Sequence, residues 1–209
     1  MGISVNDSRL SELARMIESW PGLVSGPAAG LVEDSLVLLD FLGDAARLVD
    51  VGSGGGLPGL VLKLARPDLH VTLVESDQSK AAFLVQAAAR LQLSDVEVLG
   101  RPAEEVGRDA RYRESFDVSV ARALAPMPVL AELCLPLVRV GGRLLAQKTA
   151  KEDVSKATHA IEVLGGSLDN VAAARSQART EGTVVIVHKV APTPVEYPRR
   201  PGVPRRRPL

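Results

Sequence analysis

The chain has 209 residues, 46% of them hydrophobic and 24% charged, and its 25 Lys and Arg balance 25 Asp and Glu. This is the make-up of a soluble globular protein with one sizeable domain; a second full domain is not expected, and no apolar run reaches the length of a membrane-spanning helix. A single cysteine excludes an internal disulfide, and His70, His159 and His188 sit in no metal-ligand spacing, so neither a membrane nor a metal is expected as a partner.

Met1 to Asn6 lack the basic and apolar regions of a signal peptide, which predicts a cytoplasmic protein. Asp7 or Ser8 then caps a helix in which Leu10, Leu13, Ala14 and Ile17 share one face, and Pro21-Gly22 stops it. A second helix is expected over Ala29 to Leu42, with Leu31, Ser35, Leu38, Leu39 and Leu42 on one face and Gly43 closing it. Residues 1–45 therefore read as a small N-terminal helical cap.

From Arg47 strands and helices alternate. Arg47 to Val51 reads as a strand that runs into four glycines within five residues, and Leu57 to Leu64 as a helix with Pro58 in its first turn. His70 to Glu75 is the second strand, Asp77 caps a helix to about Leu91, Val96 to Leu99 is the third strand, and a short helix starts at Pro102. Phe116 to Ala121, a helix over Pro126 to Val138, a strand over Arg143 to Lys148 entered from Gly141-Gly142, and a helix over Lys151 to Leu164 follow. Leu168 to Ala174 and Thr183 to Val190 are the last strands. The alternation predicts an α/β fold over residues 46–190, a doubly wound and mostly parallel sheet, with the final pair added as an antiparallel hairpin. Cys134, inside the apolar run Val129 to Val138, reads as a small core residue.

Residues 191–209 form a Pro- and Arg-rich tail. Its prolines argue for extended chain and against a helix, and Arg199, Arg200, Arg205, Arg206 and Arg207 on such an arm suit phosphate contacts. Removing the tail is expected to weaken binding of a nucleic-acid partner and flatten its salt dependence while leaving the pocket in the main domain intact.

The chemistry is concentrated after the first strand. A strand, a glycine turn and a helix start present free backbone N–H groups and no Cβ to a ligand. Gly54, Gly56 and Gly59 fit a dinucleotide pattern, whereas Gly52, Gly54 and Gly56 entered from Asp50 fit the pattern of Rossmann-like methyltransferases. The acid before the first glycine favours the second, because S-adenosylmethionine brings an ammonium and a sulfonium and no pyrophosphate. Glu75, about 20 residues on at the end of the next strand, fits the ribose of either ligand. In an open sheet of this kind ligands sit beyond the carboxyl ends of the strands, which brings Gly52 to Leu57, Glu75 to Asp77, Gly100 to Glu104 and Arg122-Ala123 to one rim.

Asp50 to Gly59, Arg66-Pro67, Glu75 with Lys80 and Phe83-Leu84, Arg101 to Glu105, Ala121-Arg122-Ala123, Leu135-Pro136-Leu137, Gly141-Gly142 and Lys148 resemble the bacterial 16S ribosomal RNA guanine-N7 methyltransferases, the family also called glucose-inhibited division protein B. The tail from Ala191 through Tyr197-Pro198-Arg199-Arg200-Pro201-Gly202 is similar to the signature that closes many members. The resemblance implies a class I methyltransferase fold, S-adenosylmethionine as cofactor with S-adenosylhomocysteine as product, and 16S rRNA or the small ribosomal subunit as partner of a monomeric enzyme. It implies donor contacts at Gly52, Leu57, Glu75, Ser76, Asp77, Ala103, Glu104 and Arg122, and the loop pattern adds Asp50, Ser53, Gly54 and Gly56 as cofactor-binding residues. It further implies that Arg122 and Lys148 occupy the mouth of the site and orient the guanine or its phosphate. Where the family usually has an Arg-His pair this chain has Gly30-Leu31. Two other readings stand beside this one: a non-catalytic RNA-binding or ribosome-assembly protein on the same fold, and an NAD(P)-dependent oxidoreductase.

Overall fold

A computed structural model describes residues 8–23, 26–176 and 178–209, so the proposed Asp7 cap and Met1 to Asn6 lie outside the described residues. Helix α1 (Ser8–Ser19) buries Leu10, Leu13, Ala14 and Ile17 as its periodicity requires. The run expected as one helix to Leu42 is two: α2 (Ala28–Leu36) and α3 (Leu39–Leu42). Between them the Leu38 N–H donates to Ser35 O at 3.3 Å, a tighter turn that still keeps Leu38 and Leu42 buried on one side.

Strand β1 (Arg47–Val51) leads to α4 (Gly59–Ala65), β2 (His70–Val74), α5 (Gln78–Arg90), β3 (Val96–Leu99) and α6 (Ala103–Val106). Then come β4 (Phe116–Arg122), α7 (Met127–Cys134), β5 (Val138–Thr149), α8 (Thr158–Val163), β6 (Gly166–Ala173), β7 (Gly182–Lys189) and the single turn α9 (Val203–Arg206). The strands form one sheet in the order β3-β2-β1-β4-β5-β7-β6. Only β7 is reversed: it pairs antiparallel with both β5 and β6, while β1 to β5 are mutually parallel. The class I α/β architecture and its closing antiparallel hairpin are as the alternation predicts.

Burial on both faces explains the near-continuous apolar strands. Leu48, Leu73 and Val120 face a core shared with the first two helices, α4 and α5, whereas Val49, Val51 and Val74 face α7 and α8. Chain order reverses between β1 and β4, and the carboxyl ends there open onto the site.

Several boundaries differ from expectation for local reasons. Pro58 stands just before α4 rather than inside it. Helix α7 stops at Cys134, and Pro136 lies in a 3₁₀ turn over Leu135–Leu137. Strand β5 begins at Val138, not Arg143, and carries Gly141-Gly142 through a register shift opposite Phe116 and Val118; a Cβ on Gly142 would lie 2.5 Å from Asp117 O. Regular helix after Lys151 is confined to α8 behind a 3₁₀ turn over Val154–Ala157, since Glu152 is spent on the other helix, accepting the Met127 N–H at 2.8 Å.

Candidate active site

The loop after β1 is fixed from three sides. The N–H groups of Gly52 and Ser53 both donate to Val74 O, at 2.8 and 3.1 Å, which ties the loop to the end of β2. Ser53 Oγ donates back to Asp50 O at 2.9 Å. The Gly54 N–H donates to Glu75 Oε2 at 2.9 Å, and Glu75 Oε1 accepts the Asp77 N–H at 2.9 Å. Gly52 needs its missing Cβ twice over: its φ is +75°, and a Cβ would stand 2.5 Å from Leu124 Cδ1.

Asp50 is fully buried beneath this loop, where its Oδ2 accepts the Gly59 N–H at 2.9 Å and its Oδ1 has no partner among the described residues. Burial pushes its carboxyl up to about 7, against the opposing pull of the Gly59 N–H. The same approach explains Gly59, whose Cβ would lie 2.7 Å from Asp50 Oδ2 and 2.5 Å from Leu73 Cδ2.

Above the loop lies a cavity of about 880 Å³, the size of a cofactor site. Glu75 and Ser76 line it from β2, Pro102 to Glu104 from the start of α6, and Arg122 to Leu124 from the end of β4. Leu23 and Leu31 of the cap close one side. Ala123 has φ +51°, a left-handed conformation for a residue with a Cβ, right at the rim.

Arg122 is held by the cap. Its Nη1 donates to Leu31 O at 2.8 Å and to Ser35 Oγ at 3.3 Å, and its Nη2 is 3.5 Å from Asp34 Oδ2. Asp34, only 2% exposed, also takes Arg179 Nε at 3.1 Å and Ser176 Oγ at 3.1 Å, while Gln147 Nε2 donates to its backbone O at 2.7 Å. Burial lowers the Arg122 pKa, and the Asp34 charge opposes that shift. One carboxylate thus joins α2 to β4, β5 and the β6–β7 connection.

The Pro- and Arg-rich tail is not a free arm. Glu132, the one acid in α7 and wholly buried, receives Arg199 Nη2 at 2.5 Å, Arg199 Nε at 2.8 Å and the Arg199 N–H at 2.8 Å. Arg108 donates to Pro198 O and Glu196 O, and Arg113 to Tyr197 O, Thr193 O and Pro194 O. Glu114 accepts the Thr193 N–H at 2.6 Å, and buried Lys189 is hydrogen-bonded to Thr193 Oγ1. Burial lowers the Lys189 ammonium to about 8. The tail then crosses the cavity: the Gly202 N–H donates to Glu104 Oε1 at 2.9 Å, Arg205 Nη2 donates to Leu124 O at 3.3 Å, and Pro201, Gly202 and Arg205 line the wall. Prolines did not forbid a helix either, since Pro204 sits in the first turn of α9, where its missing N–H costs nothing.

The chain matches the family described as rRNA small subunit methyltransferase G over residues 29–181. It is 46% identical to Ribosomal RNA small subunit methyltransferase G of Moorella thermoacetica, over 85% of this chain and 76% of that one. With the protein of the same name from Roseiflexus sp. it shares 43% identity over 100% of this chain and 95% of that one. The chain belongs to the rRNA small subunit methyltransferase G family. Among solved structures, the O-methyltransferase TomG from Streptomyces achromogenes, in complex with SAM, aligns over 89% of this chain and 91% of its own with TM-score 0.61 and 20% identity, a likeness of fold.

For this member of the rRNA small subunit methyltransferase G family, the structure brings Gly52, Ser53, Gly54, Leu57, Glu75, Ser76, Ala103, Glu104 and Arg122 to the cavity wall. Asp50 lies beneath the loop and Gly56 is buried within it, both off that wall. Asp77 also stays off it and caps α5, accepting the Lys80 N–H at 3.0 Å. Lys148, expected at the mouth, is 7% exposed, hydrogen-bonds Ala125 O and lies 3.6 Å from Glu152, so it braces the rim loop from behind. Burial lowers its pKa, with Glu152 opposing. Of the tail arginines, Arg205 alone reaches the cavity wall; Arg199 is committed to Glu132, and Arg200, Arg206 and Arg207 are exposed elsewhere. Cys134 is buried, its thiol pushed up to about 12 by that burial. Sequence reasoning missed Asp34, Arg179 and Glu132 as organisers. A single acid within the apolar run Met127–Cys134 was the available signal for the last.

Proposed function

We propose that this chain, as a member of the rRNA small subunit methyltransferase G family, transfers a methyl group from S-adenosylmethionine to guanine N7 of 16S ribosomal RNA. The observation that carries the reading is the cavity at the reversal of strand order, walled by the glycine loop, Glu75 and Arg122. The residues fit the cofactor: the volume suits it, the backbone at Gly52 leaves no room for a side chain, and Glu75 offers a carboxylate fixed against the loop by the Gly54 N–H at 2.9 Å. Gly52 to Leu57 would hold the amino-acid end, Glu75 the ribose, and Ala103 with Glu104 the adenine. When bound, S-adenosylmethionine supplies an electrophilic methyl group.

Guanine N7 carries an in-plane lone pair and no proton, so its attack requires no general base. The acids that line the cavity are accordingly engaged with backbone, Glu75 with Gly54 and Asp77, Glu104 with Gly202. What remains for the protein is alignment and exclusion of water. Arg122, oriented by Asp34 and Leu31 O, faces the incoming base, and the cap leucines shield it. RNA's deep, narrow major groove hides N7 in a duplex, so the base enters unpaired or splayed from a small subunit or its RNA. No helix among the described residues is long and apolar enough to cross a membrane.

The test is methyl transfer from labelled S-adenosylmethionine to small subunits, and to total RNA, from a host lacking the modification, with the product mapped by N7-methylguanine-specific cleavage. A single modified guanine in 16S rRNA is expected. Donor binding without transfer to any ribosomal RNA would move the chain to an assembly role.

A further inference from the structure

Three cationic side chains line the cavity, and they differ in how much charge they have left to offer. Arg122 is mostly buried and faces Asp34 across 3.5 Å, and Lys80, half-buried in the first turn of α5, brings a point charge without a fork of donors. Arg205 is exposed, and among the described residues its guanidinium makes one hydrogen bond, to Leu124 O at 3.3 Å. We propose that Arg205 is a substrate-positioning residue, taking the RNA phosphate next to the nucleotide whose base enters the cavity. The inference rests on the RNA methylation proposed above and assigns to one arginine a role that composition spreads over five.

Place decides the assignment. The tail around Pro201–Arg205 forms a strap along the cavity, fastened to α6 where the Gly202 N–H meets Glu104, and to the rim loop where Arg205 meets Leu124. A base that reaches into the cavity leaves its sugar and phosphates outside, at the level of that strap. A guanidinium offers a planar fork of donors matched to phosphate oxygens, and a single bond to a carbonyl leaves most of that fork unspent. Preorganisation supports it: Arg199 on buried Glu132, Arg113 on three tail carbonyls and Glu114 on the Thr193 N–H fix the strap before RNA arrives. Arg206 follows directly in the chain and is also exposed but stays off the cavity wall, which supplies a comparison of equal charge.

The experiment compares full-length Arg205→Ala, Arg205→Lys and Arg206→Ala with the parent chain. Binding of a fluorescent small-subunit RNA fragment is followed over a salt series, donor binding by calorimetry, and kcat and KM on small subunits. Arg205→Ala is expected to raise KM for RNA about 10-fold, to lower the slope of log affinity against log salt by about one, and to leave donor affinity within about twofold. Arg205→Lys should recover part of the salt slope but less of KM, because a point charge lacks the fork. Arg206→Ala should shift KM several-fold less than Arg205→Ala. Equal losses from the two alanine variants, or an unchanged KM and salt slope in Arg205→Ala, overturn the proposal. If the parent chain binds donor yet methylates no RNA, the function itself fails, and the salt slopes still decide whether Arg205 meets a phosphate.

Discussion

Replacing Arg199 with methionine isolates the fastening of the strap. The substitution removes the three guanidinium contacts to Glu132, at 2.5, 2.8 and 3.1 Å, and leaves a wholly buried carboxylate with the residue-199 N–H as its remaining donor. Deleting one partner of a buried ion pair costs about 3–5 kcal/mol, because the other charge stays out of water. The surviving N–H, and the quarter of the Arg199 side chain already open to solvent, place this case at the low end, about 3 kcal/mol. For a chain of this length that corresponds to a drop of about 6–12 °C in Tm. The Arg199→Met, Glu132→Leu double variant should recover most of the loss, less about 1 kcal/mol for the N–H deprived of its acceptor. Thermal and urea melts of the three proteins decide it. A single variant within about 1 kcal/mol of the parent, or a double variant no more stable than the single, would refute the view that the strap is built into the fold.

Asp50, raised by burial from 3.8 to about 7, binds its proton in the folded state over a pH range where the unfolded chain has lost it. Its contribution to stability is therefore complete below the unfolded value and declines as pH rises toward 7, and Asp50→Asn should flatten that part of a urea-midpoint profile; an unchanged slope refutes the assignment. Gly52→Ala forces a Cβ into Leu124 Cδ1 and costs about 1–2 kcal/mol in the left-handed conformation alone, so donor affinity should fall at least 10-fold by calorimetry, and unaltered affinity would count against the cavity as the donor site. Asp34→Ala leaves Arg122 and Arg179 without their shared carboxylate, and amide exchange in Ala28–Leu36 should accelerate; unchanged protection would remove Asp34 as the anchor of the cap. Removing residues 191–209 should abolish donor binding as well as weaken RNA binding, contrary to what composition suggests, because Pro201 and Gly202 are cavity wall; a truncated chain with parental donor affinity would show the wall to be dispensable.

What could be read in advance follows from how local the cause is. The step from Arg47–Val51 into the glycine loop is visible because strand, turn and helix start are dictated by neighbours in sequence. So are the rim segments at Glu75, Ala103 and Arg122, since each follows a strand in a regular alternation. The misplaced roles are those decided at long range. Asp50 looked like a ligand contact and lies buried beneath the glycine loop on the Gly59 N–H, and Lys148 looked like a mouth residue and braces Ala125, because whether a polar side chain turns up or down at a strand end depends on what packs there. The tail was misread most: proline and arginine composition describes an isolated segment, whereas its conformation is set by Glu104, Glu114 and Glu132, all more than sixty residues away in the chain.

The order of these parts along the chain sets an order of completion. The strap lies downstream of all seven strands, so a chain emerging from the ribosome can pair its sheet and close its core before Pro201 and Gly202 exist. Until then Glu132 waits in the interior without its arginine, and the cavity stands open along one flank. For the donor site proposed above, completion then waits on synthesis having passed the strap, and a half-made copy lacks that stretch of wall.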